Sequence, residues 1–187
     1  MIALLCLSSL FPFSFMLKHG NRKYLCTFVS MKTFVIAGCG RLAGIVSEAV
    51  IKGLFPEYEL VGVYSRTVAK AERIAGRMAE AGKSCAVCTT ADELLALKPD
   101  ILVETASPAA LREFAVPALK NGTSIVTLSI GALADDAFYR EVCETAKENG
   151  TRIYIASGAT GGFDVLRTAA LMGKATARFY NERDLMP

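Results

Sequence analysis

Gly38, Gly40 and Ala43 stand at G-x-G-x-x-[G/A] spacing directly after the apolar run TFVIAG. Between a strand and a helix, that spacing serves pyrophosphate binding. The first glycine permits a tight turn. The second lets the backbone reach the pyrophosphate, where a Cβ would collide, and the small third residue lets helix and strand pack closely. The helix N-terminus adds free N–H groups and positive potential for phosphates. A glycine turn with no ligand is the bland alternative.

The adenosine ribose comes next. An NAD site places an acid at the end of the second strand, to accept from the ribose 2′-OH. Here that position reads Tyr64, Ser65, Arg66, Thr67, with no acid. A carboxylate would repel a 2′-phosphate, whereas Ser65 and Arg66 can donate to it. The expected cofactor is therefore NADP, with NAD possible; Arg66 lying along the adenine face would suit either.

Ligands of open α/β sheets bind at the carboxyl ends of the strands. Those ends read ETASP (residues 104–108), LSIGALAD (128–135) and ASGATGGFD (156–164), all rich in small residues. In the last, Ser157, Gly158, Gly161 and Gly162 fall at a helix start, which suits a carboxylate or phosphate. Each is also readable as an ordinary tight turn.

The elements that must position these residues alternate. Strand patterns read TFVIAG, YELVGVYS, SCAVCT, DILVETA, TSIVTLS and TRIYIAS. Helical patterns between them carry their own signals: Thr67 as an N-cap, Gly53 and Gly82 as stops, and Ser107 followed by Pro108 as a cap and first position. The strands are continuous apolar runs, which marks a parallel sheet covered on both faces. Right-handed crossovers then give an α/β fold, a Rossmann-type doubly wound sheet.

Composition agrees. Of 187 residues, 52% are hydrophobic and 21% charged, ample for a core and inconsistent with disorder. Of the 21 basic side chains, Lys18, Arg22 and Lys23 lie in the first thirty residues, leaving 18 to balance 18 acidic ones. That balance argues against a nucleic-acid partner. The 6 cysteines are scattered and read as free thiols in a reducing cytoplasm. Cys85 and Cys88 share a C-x-x-C spacing, but SCAVCTT reads as a strand rather than the helix N-terminus of a redox pair. No second ligand pair accompanies them, so no metal is expected. The apolar run before KHGNRK lacks a positive n-region and is broken by Pro12, which argues against a cleaved signal. Met31 directly precedes the first strand, so residues 1–30 are expected to be a leader outside the fold, with an apolar membrane anchor as the alternative.

The runs VETASPAALREFAVPALKNG, TLSIGALAD and above all ASGATGGFDVLRTAA resemble the L-aspartate dehydrogenase family. At a lower level they are similar to the cofactor domain of homoserine dehydrogenases. The resemblance spans residues 31 to about 173. It implies oxidation of L-aspartate to iminoaspartate, which yields oxaloacetate and ammonia, with hydride passing to NAD(P)+; iminoaspartate can also feed NAD biosynthesis. It implies that Gly38, Cys39, Gly40, Arg41 and Leu42 hold the pyrophosphate, that Ser65 and Arg66 face the adenosine ribose, and that Ala106, Ser107 and Ala132 lie near the nicotinamide. Ser157, Gly158, Ala159, Gly161 and Gly162 would border the substrate.

Three segments are thus expected: the leader 1–30, an NAD(P)-binding domain 31–156, and the start of a truncated catalytic and dimerisation domain at 157–187. The family's catalytic histidine belongs to that second domain, and the only histidine here is His19, so no catalytic residue is assigned. The family implies a homo-oligomer. The chain itself is expected to bind cofactor with impaired turnover. The alternatives are a non-catalytic NADP-binding module, or a related dehydrogenase or imine reductase acting on another small amino acid.

Overall fold

The computed structural model describes residues 14–19, 22–27 and 31–156. Strands β1 (Ser14–His19) and β2 (Arg22–Thr27) pair antiparallel as a two-stranded sheet of their own. The sequence reading placed no element there. The remaining elements follow in order: β3 (Lys32–Ala37), α1 (Arg41–Ile51), β4 (Tyr58–Tyr64), α2 (Val68–Glu80), β5 (Ala86–Cys88), α3 (Ala91–Ala96), β6 (Ile101–Glu104), α4 (Pro108–Lys120), β7 (Ser124–Thr127), a 3-10 turn (Ile130–Ala134), α5 (Asp136–Glu148) and β8 (Ile153–Ile155). Among these described residues no helix is long and apolar enough to cross a membrane. The apolar run in residues 1–13, read as a possible anchor, lies outside the described residues.

The strands from β3 onward form one parallel sheet in the order β5-β4-β3-β6-β7-β8. The chain winds outward from β3 through β5, then returns to β6 on the other side. The order therefore reverses between β3 and β6, and such a reversal opens a crevice at the carboxyl ends of those two strands.

Strand alternation feeds two cores, one on each face. Phe34 and Ile36 of β3 pack with Ala43 and Val50 of α1 and with Ala71, Ile74 and Met78 of α2. Val35 and Ala37 point the other way, toward Leu111 and Phe114 of α4 and Phe138 and Val142 of α5. Each fully buried Leu, Ile or Phe contributes about 1.5–3 kcal/mol relative to exposure.

A bulge in β4 interrupts the alternation. Phe34 lies opposite Leu60, but Val35 lies opposite Gly62, so Val61 is an extra residue. Leu60 and Val63 then share one core, whereas Val61 and Tyr64 pack on the other. Gly62 adjoins the bulge, a usual place for glycine in a strand, and a Cβ there would require Leu97 Cδ1, 2.5 Å away, to shift.

The cap signals separate into two kinds. Ser107 Oγ accepts from Ala110 N at 3.2 Å with Pro108 at the first helical position, as read from sequence. Thr67 occupies the N-cap position of α2, but its side chain makes no cap hydrogen bond. Instead the Thr67 N–H donates to Ser65 Oγ at 3.3 Å, closing a turn at the end of β4. The far end of the sheet is tied separately: Asp100 Oδ2 accepts from Thr33 N at 2.7 Å, and Thr123 Oγ1 donates to Pro99 O at 2.8 Å.

Candidate functional site

At the reversal point lies an open cleft of about 260 Å³, bordered by the segments that follow β3, β4 and β6. The β3 segment is the glycine turn. Gly38 adopts φ +104, a region glycine tolerates and other residues rarely enter. A Cβ there would lie 2.7 Å from Ala106 Cβ and 2.8 Å from Ala106 N. The turn is held from both sides, since Gly38 N donates to Tyr64 O at 2.8 Å and Thr105 Oγ1 donates to Gly38 O at 2.6 Å.

Gly40 is different in kind. Its φ of −84 is ordinary. A Cβ there would meet nothing within 4 Å, so the position faces open space at the cleft. Gly40 is also the N-cap of α1, with no side-chain cap and no acid in the first turn. The first N–H groups of α1 thus begin at the cleft without a neighbouring side chain to neutralise them, a geometry that receives anions.

The intervening Cys39 is buried. Its Sγ donates to Tyr64 O at 3.4 Å, and burial pushes the thiol up to about 11, with Arg73 drawing it partly back. It fills space beneath the turn rather than acting as a nucleophile.

The β4 segment brings Ser65, Arg66 and Thr67 to the cleft, together with Lys70 from the first turn of α2. Among the described residues neither Arg66 nor Lys70 is in an ion pair. Two cations and two hydroxyls therefore meet at one end, with Glu113 as the acid on the facing wall. Tyr64 and Phe114 border the cleft and meet edge to face at 5.3 Å, with Phe114 fully buried in the core so that Tyr64 is the ring partly open to the cleft. Sequence reasoning does not single out Lys70; its place one turn after the Thr67 N-cap position is the signal that locates it.

The β6 segment supplies Thr105, Ala106 and Ser107. Behind it Glu104 is fully buried and does not line the cleft. Its Oε1 accepts from Ala106 N at 2.7 Å, Ser107 N at 2.9 Å and Ser129 Oγ at 2.9 Å, and its Oε2 from Thr127 Oγ1 at 2.7 Å. An acid ending an apolar strand, followed by small and hydroxyl residues, is the sequence sign of this arrangement.

The cleft thus gathers Gly38, Cys39, Gly40, Ser65, Arg66, Ala106 and Ser107. Arg41, Leu42 and Ala132 are not part of its lining, although the N–H groups of Arg41 and Leu42 open α1 directly after Gly40. Arg41 lines a separate surface depression with Ile45 and Glu48. Leu42 is half exposed. Ala132, expected near the nicotinamide, is instead buried in the core under α4 and α5, because the 3-10 turn packs inward there. Its carbonyl accepts from Arg112 Nη2 at 3.2 Å. Ser157, Gly158, Ala159, Gly161 and Gly162 lie outside the described residues.

Neither cysteine of the C-x-x-C pair lines the cleft. Cys88 is buried and Cys85 half-buried, and both are free. Burial, then the nearby Cys39 and Cys88 thiols, push Cys85 up to about 12; burial and Glu93 push Cys88 up as well. These are protonated packing thiols.

The sequence profile of the family described as "Homoserine dehydrogenase, NAD binding domain" matches residues 38–156. The L-aspartate dehydrogenase of Methanococcus maripaludis strain C6 is 32% identical over 136 residues, covering 73% of this chain and 49% of that protein. The L-aspartate dehydrogenase of Psychrobacter cryohalolentis is 32% identical over 143 residues, covering 76% and 51%. The chain therefore spans about half the length of these curated relatives. Among solved structures, the aspartate dehydrogenase of Thermotoga maritima superposes with a TM-score of 0.52 at 24% identity, covering 73% of this chain and 50% of that one. The WlbA dehydrogenase of Chromobacterium violaceum, in complex with NADH and UDP-GlcNAcA, superposes with a TM-score of 0.62 at 17% identity, covering 76% and 40%. At those identities the two structures speak for the fold.

Proposed function

Because the chain belongs to the homoserine dehydrogenase NAD-binding domain family, we propose that residues 31–156 are the dinucleotide-binding part of an NAD(P)-dependent oxidoreductase acting on L-aspartate. The observation that carries the binding reading is the reversal of strand order between β3 and β6. It sets an uncapped helix N-terminus and an unobstructed Gly40 at the mouth of a cleft. Aspartate as substrate rests on the similarity to the L-aspartate dehydrogenases.

In this reading Gly38 and Gly40 bring backbone N–H groups to the pyrophosphate. The half-buried Tyr64 ring would border the adenosine part of the nucleotide. Arg66 and Lys70, with Ser65, meet a 2′-phosphate, so NADP binds in preference to NAD. Thr105, Ala106 and Ser107 border the dinucleotide from the opposite wall. When bound, the oxidised nicotinamide accepts hydride from the α-carbon of L-aspartate, giving iminoaspartate, NAD(P)H and a proton. The chain's own part in that reaction is to bind the dinucleotide, fix its orientation and keep the turn around it rigid. Segment 157–187 is read as the start of the catalytic and dimerisation part.

The test is direct. The chain has no tryptophan, so the fluorescence of reduced nicotinamide reports binding without energy transfer from that residue. NADPH and NADH are titrated, and aspartate-dependent reduction of NADP+ is then followed. Saturable binding with NADPH tighter than NADH is expected. Binding of neither nucleotide refutes the cofactor reading, and turnover with homoserine but not aspartate refutes the substrate.

A further inference from the structure

We infer that Glu104 is a positioning residue for the cleft, a carboxylate that never touches the dinucleotide yet sets the wall against which it binds. The inference rests on the dinucleotide reading above. Glu104 is the end of β6, fully buried, and a buried carboxylate is tolerated where every acceptor site finds a donor. Here four donors converge on it from three places: the N–H groups of Ala106 and Ser107 ahead of α4, Thr127 Oγ1 at the end of β7, and Ser129 Oγ before the 3-10 turn. Its own backbone carbonyl accepts from Leu128 N at 3.1 Å, and Thr127 Oγ1 accepts from Ser129 N at 3.0 Å. The loops after β6 and β7 are thereby fixed as one unit.

That unit determines the cleft. Ala106 is the residue that crowds Gly38, and the adjacent Thr105 bonds Gly38 O. Moving Ala106 and Ser107 moves the wall and, through Thr105, the glycine turn. Glutamine cannot replace the carboxylate without loss. The two backbone N–H groups on Oε1 only donate, so the amide oxygen must take that place. The amide NH2 then faces Thr127 Oγ1, which already accepts from Ser129 N. Thr127 must accept a second time, and its own proton loses its partner. An aspartate is one methylene too short to span the same donors.

The experiment compares wild type, Glu104→Gln, Ser129→Ala and Thr123→Val in NADPH and NADH titrations well below each melting temperature. Thr123→Val is the control, since it removes a buried hydrogen bond at the opposite end of the sheet. Glu104→Gln is expected to weaken both nucleotides by the same factor, about tenfold. Ser129→Ala, which removes one donor, is expected to weaken both by a smaller equal factor. Thr123→Val is expected to lose stability with both Kd values unchanged. A folded Glu104→Gln with wild-type affinities overturns the inference, as does a loss confined to NADPH. If Glu104→Gln does not fold, Ser129→Ala decides: an equal loss for both nucleotides supports the inference, and unchanged affinity overturns it. Failure of wild type to bind either nucleotide overturns the cofactor reading and this inference together, before any variant is compared.

Discussion

The two glycines of the turn are expected to fail in opposite ways when each is changed to alanine. At Gly38 the φ of +104 is a conformation alanine resists, and the new Cβ would stand 2.7–2.9 Å from the Cβ, N and Cα of Ala106. Backbone cannot swing aside as a side-chain tip can, so conformational strain and overlap combine to about 3 kcal/mol or more. For a chain of this size that lowers Tm by roughly 6–12 °C. At Gly40 the φ is −84 and the Cβ meets nothing within 4 Å. Alanine is a poorer N-cap than glycine, but it also restricts the unfolded chain, and the two effects offset to within about 1 kcal/mol. Gly40→Ala should therefore melt within about 3 °C of wild type. Its methyl group nevertheless occupies the space the pyrophosphate requires, so NADPH affinity should fall by at least about tenfold. Thermal melts followed by circular dichroism, paired with nicotinamide fluorescence titrations, measure both quantities. A Gly40→Ala protein that binds NADPH like wild type refutes the placement of the pyrophosphate. A Gly38→Ala protein with unchanged Tm refutes the account of crowding by Ala106.

Other outcomes follow from the same geometry. Arg66→Ala should weaken NADPH by about tenfold or more while leaving NADH nearly unchanged, with the difference shrinking in high salt; equal losses for both nucleotides would remove the 2′-phosphate argument. Gly62→Ala should cost no more than about 1 kcal/mol, because its Cβ would stand 2.5 Å from Leu97 Cδ1, the tip of an exposed side chain that can swing aside. Shortening that partner in Gly62→Ala/Leu97→Ala should recover part of the loss, and additive destabilisation in denaturant melts would contradict the contact. Alkaline stability should also fall. Cys39 and Cys85 have folded values pushed up to about 11 and about 12 from 9.0. Above about pH 9 the unfolded chain releases those protons while the folded chain holds them, so Tm declines from there upward. Replacing Cys39 and Cys85 with alanine should flatten that decline, and a double variant with an unchanged slope would argue against it.

Much of the cofactor side is legible because it rests on local rules. A glycine pair after an apolar run, a Ser-Pro helix start and glycine stops each act within a few residues. The doubly wound parallel sheet follows from continuous apolar strands and right-handed crossovers, but the order of its strands came only with the structure. Distant contacts were not legible. The sequence assigns Gly38 a turn, but the residue that enforces it is Ala106, far along the chain. The bulge at Val61 has one sign in the run YELVGVY, the neighbouring Gly62, which the sequence reading did not use, and it redirects the rest of β4. Thr67 shows a propensity overruled by context: the right residue type stands at the right position, but its backbone N–H is engaged by Ser65 and its side chain does not cap.

Glu104 and Lys70 mark the same limit from the functional side. Both are charged residues whose types say little in isolation. Lys70 reads as a solvated helix lysine until the structure places it, with Arg66, in the lining of the cleft. Glu104 reads as an acid in a motif until its four donors are counted. An acid in that strand would ordinarily oppose binding of an anionic dinucleotide. Burial behind Ala106 and Ser107, with four donors directed at it, lets this carboxylate organise the loop while Thr105, Ala106 and Ser107 line the cleft in front of it. Placing this carboxylate one layer back fixes the wall without bringing Glu104 itself to the ligand, and Glu104→Gln tests that role by trading one acceptor oxygen for a donor in a side chain of nearly the same size.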